Sequence, residues 1–189
     1  FVDFDAPAEV KRAGFLFVGR LSTEKGIDVL AGAVRNIKDT HLRVAGTGPD
    51  ATCLEGISGL TALGALSGDA VRVEMSRAMA LVLPSIWYEN FPRTLVEAFA
   101  CGLPVIASRI GALVELVSDG KTGLLFEPGN SQDLAEKMRW AQQHPEQMAE
   151  MGRKARRLYE AEFTAERNHQ QLMAIYQDAI DFVKNKVRK

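Results

Sequence analysis

Short apolar runs alternate with helix-period segments almost from end to end of this chain, and that alternation leaves few folds open. Strands buried on both faces read as continuous apolar runs, and a helix between successive parallel strands supplies the crossover that each connection needs. Phe15-Leu-Phe-Val, bounded by Gly14 and Gly19, reads as the first strand. Ile27, Leu30, Ala31 and Val34 then recur at i, i+3, i+4 and i+7, so a helix follows. His41 to Ala45 is a second strand that runs into the turn Gly46-Thr-Gly48-Pro49. Residues 51–59 read as a short helix and 60–66 as a third strand. Asp69 is placed to cap the next helix, and Ala80-Leu-Val-Leu is a fully buried strand. Pro92 suits the first turn of a helix and Gly102 the residue just past its end. Leu103 to Ser108 is a strand, 112–117 a short helix, and Gly123-Leu-Leu-Phe the last strand. From Ser131 the pattern is helical, with breaks at His144-Pro145 and near Phe163-Thr164, where Thr164 can cap the final helix. The expected class is α/β: a Rossmann-like doubly wound parallel sheet with helices on both faces and a helical C-terminal extension.

Three segments are expected. Residues 1–12 lack periodicity, include Pro7, and read as a connector from something upstream; 13–163 form one ligand-binding domain; 164–189 are a C-terminal helix. The net charge of −1 gives no reason to expect a nucleic acid partner. Residues 151–189 carry 9 basic and 5 acidic side chains, which read as the solvated face of terminal helices, with a peripheral contact at the inner membrane face as the second reading. Cys53 and Cys101 share no metal-like spacing, and His41, His144 and His169 are scattered, so neither a disulfide nor a metal site is expected. No apolar run approaches the length of a membrane span, and the first residues do not read as a signal peptide. A cytoplasmic protein is expected.

In an open parallel sheet, ligands bind beyond the carboxyl ends of the strands. The loop after the first strand, Gly19-Arg20-Leu-Ser-Thr-Glu-Lys25-Gly26, carries two cations into a helix start, where the macrodipole favours anions. Arg20 as a fork of donors and Lys25 as a point charge could neutralise two phosphates without a metal; taken alone, both also read as solvated surface charges. The loop after Pro84 runs Ser85-Ile-Trp-Tyr-Glu89-Asn-Phe-Pro92-Arg-Thr-Leu-Val-Glu97. A helix beginning at Pro92 would offer the amides of Arg93, Thr94 and Leu95 to a phosphate. Carboxylates accept without donating, so Glu89 and Glu97 could each grip a pair of adjacent hydroxyls. Trp87 and Tyr88 read as packing against another domain or the loop's own core, Phe91 as a hydrophobic staple, and Met138, Met148 and Met151 as core.

The motifs Gly19-Arg-Leu-x-x-x-Lys-Gly26 and Glu89-x7-Glu97-Ala-x-Ala-x-Gly-x-Pro-Val, followed by Ser108 to Glu115 and Asp119-Gly-Lys-Thr-Gly-Leu-Leu-Phe126, occur in order along nearly the whole chain. Their combination resembles the C-terminal, donor-binding half of retaining GT-B glycosyltransferases, specifically glycosyltransferase family 4. The resemblance implies transfer of a sugar from a nucleoside-diphosphate sugar to an acceptor hydroxyl with retention of configuration, with no metal cofactor. It implies that Arg20 and Lys25 hold the phosphates and stabilise the departing nucleotide, that Glu89 contacts the sugar, and that Glu97 holds the ribose diol. The amides from Arg93 to Leu95 would hold the distal phosphate, and Gly19, Gly46 and Gly48 would let the backbone approach the ligand. Many relatives have glycine at Pro92 and a paired glycine at Gly111-Ala112. The acceptor, a glycan, lipid or small molecule, would sit mainly on an N-terminal domain missing here, so little turnover is expected of these residues alone. A dinucleotide oxidoreductase is disfavoured because no Gly-x-Gly-x-x-Gly follows the first strand. A non-catalytic nucleotide-sugar module and a GT-B epimerase stay open.

Overall fold

A computed structural model of the chain describes residues 12–187. The connector expected over 1–12 therefore lies, apart from Arg12, outside the described residues. Six strands, β1 (Phe15–Val18), β2 (Leu42–Ala45), β3 (Leu60–Gly64), β4 (Ala80–Leu83), β5 (Val105–Ser108) and β6 (Gly123–Phe126), form one sheet. Its order is β3-β2-β1-β4-β5-β6 and every pairing is parallel. Between and after the strands lie α1 (Ile27–Arg35), α2 (Gly68–Arg77), α3 (Arg93–Ala100), α4 (Ala112–Leu116), α5 (Ser131–Gln143), α6 (Pro145–Glu162) and α7 (Ala165–Val187). The doubly wound parallel sheet expected from the alternation is the fold observed.

Two cores follow from the two-residue period of the strands. Phe15 and Phe17 face one layer with Val44, Val82, Ile106 and Phe126, covered by α1, α5 and the start of α6. Leu16 faces the other with Leu81, Val105 and Leu125, covered by Met75, Leu95, Phe99 and Leu113. Met138, Met148 and Met151 are all buried in the first layer. β3 closes one edge and leaves Thr61 and Ala62 exposed.

Several local expectations shift. Residues 51–59 form only a 3-10 turn at Ala51–Leu54, because the following backbone turns into the left-handed region at Gly56 and Gly59. The cap of α2 is Ser67, whose Oγ accepts from the Ala70 amide at 3.3 Å; Asp69 lies in the first turn and pairs with Arg72. The cap of the last helix is where it was expected, with Thr164 Oγ1 accepting from the Arg167 amide at 3.2 Å. Trp87 and Tyr88 do not pack into their own loop: they are 70% and 80% exposed.

The C-terminal end of α3 is clamped by two guanidinium groups. Arg12 donates to the Cys101 carbonyl at 2.6 Å and Arg156 donates to the Ala100 carbonyl. Cations at a helix C-terminus satisfy orphan carbonyls and complement the dipole. Burial pushes the Cys101 thiol between them up to about 11, so it stays protonated and inert at neutral pH.

Gly26, at φ +69°, turns the chain from the β1 loop into α1 against the end of β4. A Cβ there would stand 1.9 Å from the Pro84 carbonyl oxygen. Gly26→Ala should therefore cost about 2–4 kcal/mol. Thermal denaturation should show the midpoint falling by at least about 5 °C; a fall of less than about 2 °C would show that the turn yields without strain.

Candidate functional site

The strand order reverses beside β1. The chain moves outward from β1 through β2 to β3, then returns to place β4 on β1's other flank. Loops leaving the carboxyl ends of β1 and β4 therefore run in opposite directions and leave a crevice between them. Of the residues selected from sequence, Gly19, Arg20, Lys25 and Glu89 lie on these loops, Gly46 and Gly48 on the adjoining loop after β2, and Arg93, Thr94, Leu95 and Glu97 in α3.

The β1 loop is bonded to both neighbours. The Gly19 amide donates to Ala45 O and the Leu21 amide to Thr47 O, both at 3.0 Å, while the Ile86 amide donates to Glu24 O at 3.1 Å. Close approach requires glycine on the β2 side: a Cβ on Gly46, at φ +147°, would lie 1.8 Å from Gly19 O, and one on Gly48 would lie 2.1 Å from Leu21 O. These two glycines thus admit the neighbouring loop, a structural reason for their type that stands beside the expected approach to a ligand.

Two adjoining cavities open over this junction and share Val18 and Gly19. The first, about 230 Å³, is lined by Gly19, Lys25, Ser85, Glu89, Arg93 and Thr94. The second, about 530 Å³, is lined by Gly19, Arg20, Gly46 and Gly48, with Pro49 and Leu66. The fold thus brings Lys25 and Glu89 into one cavity and puts Arg20 in the next. Arg20 is exposed and has no hydrogen bond or ion pair among the described residues.

Lys25 ends a 3-10 turn, Thr23–Lys25, just before α1. Its ammonium donates to Glu89 Oε1, forming an ion pair, and the buried Ser85 hydroxyl donates to the same oxygen at 2.8 Å. A cation at this helix start is therefore balanced by a carboxylate from the β4 loop. Ser85 was the residue that sequence reasoning passed over; its signal was a hydroxyl at the exit of a buried strand, four positions before the acid.

The helix after the β4 loop begins at Arg93 with Pro92 in the preceding position. The expected trio of free amides is a pair, because the Leu95 amide donates to Pro92 O at 2.9 Å and the Leu95 side chain is buried in the second core. The amides of Arg93 and Thr94 have no acceptor among the described residues and stand at the positive end of α3 beside the smaller cavity. Glu97 lines neither cavity. It lies one turn along α3, with Oε1 3.7 Å from Arg93 Nη2.

Arg109 is engaged elsewhere, donating to Asp119 at 2.9 Å. Among the described residues there is no group of His, Cys, Asp or Glu suited to a metal ion, and no helix is long and apolar enough to cross a membrane.

Comparison with known proteins identifies the family and the fold. An uncharacterized glycosyltransferase of Methanocaldococcus jannaschii is 40% identical over 129 residues, 65% of this chain and 36% of that protein. This chain thus spans about a third of that relative's length. The structure of HepE from Anabaena in complex with UDP superposes with a TM-score of 0.80 at 24% identity, over 89% of this chain and 49% of that one. The C-terminal domain of a glycosyl transferase group 1 protein from Francisella tularensis matches with a TM-score of 0.73 at 19% identity, over 85% of this chain and 96% of that domain. The sequence profile of the glycosyl transferases group 1 family matches residues 3–158, and the chain belongs to that family.

Proposed function

We propose that this chain is the donor-binding half of a GT-B glycosyltransferase of family 4. It would hold a nucleoside-diphosphate sugar in the crevice between β1 and β4 while the sugar passes to an acceptor hydroxyl with retention of configuration. The observation that carries the reading is the convergence, at the point where strand order reverses, of Lys25, Glu89 and the two unbonded amides of α3 on one cavity, with Arg20 in the adjoining one. Cations and helix-start amides suit a diphosphate, and a carboxylate suits sugar hydroxyls. The match to an isolated C-terminal domain supports the placement in the chain, and the UDP held by HepE supports the ligand class.

In this reading the phosphate nearest α3 accepts from the amides of Arg93 and Thr94. Lys25 and Arg20 neutralise the diphosphate and stabilise the charge that grows on it as the bond to the sugar breaks, which is transition-state stabilisation by fixed cations rather than by a metal. Glu89 accepts from hydroxyls of the transferred sugar. Glu97, outside both cavities and loosely paired with Arg93, holds the ribose diol once the ligand's nucleoside end extends along α3. Domain 13–163 supplies these groups, α7 extends it, and an N-terminal domain supplies the acceptor site.

Arg20→Ala and Lys25→Ala should each weaken binding of the cognate nucleoside diphosphate by about tenfold or more while leaving nucleoside binding within about twofold, since each loses a charge-assisted contact to phosphate. Calorimetry with uridine, guanosine and adenosine and their diphosphates measures this, and equal losses for nucleoside and diphosphate would contradict the assigned roles. Residues 1–189 alone should bind donor yet transfer little sugar, whereas fusion to the N-terminal half should restore transfer. Product analysis checks this: vigorous transfer by the isolated chain would refute the dependence, and an epimerised nucleotide sugar would replace the reading.

A further inference from the structure

The site holds its own counter-ion. Lys25, which lines the smaller cavity, is paired with Glu89 from the same lining. Glu89 is anchored through a single oxygen: Oε1 accepts from both the Lys25 ammonium and the Ser85 hydroxyl, and Oε2 has no partner among the described residues. Ser85 is 3% exposed at the exit of β4, so its hydroxyl is a fixed donor that keeps the carboxylate at the cavity.

This arrangement treats two related ligands differently. A free terminal phosphate carries about one more negative charge near pH 7 than a phosphate esterified to a sugar, because its second ionisation lies near pH 6. As it approached Lys25 it would compete with Glu89 for the ammonium and meet the carboxylate's own charge at ion-pair range. An esterified phosphate lacks that extra charge, and its sugar brings hydroxyl donors that Oε2 can accept. Like-charge juxtaposition against one ligand combined with hydrogen bonding to the other is how a site gains selectivity from few contacts.

Resting on the diphosphate reading above, we infer that Ser85, Lys25 and Glu89 form a discriminating unit that favours a sugar-esterified diphosphate over the free diphosphate left after transfer. Lys25 attracts either ligand; Glu89 opposes the free one; Ser85 is a positioning residue that keeps the Glu89 charge where it acts. The unit would ease release of the spent nucleotide.

Inorganic pyrophosphate is a probe that needs no knowledge of the base. In low-salt calorimetry, Glu89→Gln, which keeps the side chain's shape and removes its charge, should bind pyrophosphate about tenfold more tightly than the unaltered chain. Ser85→Ala, which frees the carboxylate to swing away, should shift binding in the same direction by a smaller factor. Thermal midpoints without ligand check that both variants fold. A merely structural role for Ser85 and Glu89 would weaken binding or leave it unchanged. Equal or weaker pyrophosphate binding by a folded Glu89→Gln protein overturns the inference and leaves the diphosphate site standing. An absence of binding to both the unaltered and the Glu89→Gln chains removes the diphosphate site itself and both readings with it.

Discussion

The proposed site depends on where the first strand enters the sheet. β1 lies in the middle, with β2 on one flank and β4 on the other, and that order is the only reason the β1 and β4 loops part from one another. Parallel strands require right-handed crossovers, so successive helices cover one face on the outward journey and the opposite face on the return. The crevice is a consequence of that reversal. It is also where two helix starts, those of α1 and α3, lie close to each other with their positive ends on the same side of the sheet.

Given that crevice, the local chemistry is a contest among charges at short range. Lys25 precedes a helix whose dipole disfavours it, and Glu89 offsets the mismatch from across the gap. The Lys25–Glu89 pair and the Glu24–Ile86 backbone bond hold the two loops together, and Ser85 steadies Glu89 from within its own loop. At the far end of α3, Arg12 and Arg156 bond the last carbonyls, so the helix that would present the phosphate-binding amides is held at its C-terminal end. Arg20 is exposed at the cavity edge and makes no hydrogen bond or ion pair among the described residues, its charge acting only through space on Glu24, which suits a group that meets an anion from solution.

Much of this was legible in the sequence because the strands announce themselves. Phe15 to Val18 and Ala80 to Leu83 are apolar at every position, which burial on both faces explains, and the loops at their exits are the ones the structure brings together around the two cavities. The ordered motifs from Gly19 to Phe126 pointed to GT-B glycosyltransferases, and the comparisons show the glycosyl transferases group 1 family. What sequence could not supply was pairing across loops. Nothing in the spacing of Lys25 and Glu89 says that they meet, and Ser85 has no distinction until its hydroxyl is seen on the same oxygen. Leu95 looked like one more free amide because propensity places Pro92 inside the helix, whereas the structure sets it one residue earlier and closes the first turn on its carbonyl. Residues 51–59 misled for a related reason: left-handed glycines at 56 and 59 end a helical pattern that composition alone would extend.

The central claim is that the crevice beside β1 and β4 holds the diphosphate of an activated sugar. A crystal of this chain soaked with a nucleoside-diphosphate sugar that it binds tests that directly. The account predicts density for the diphosphate within hydrogen-bonding distance of Lys25 Nζ and of the Arg93 and Thr94 amides, with the sugar beside Glu89. Density for the diphosphate elsewhere on the sheet, with Lys25 still on Glu89 and the α3 amides unengaged, would contradict it.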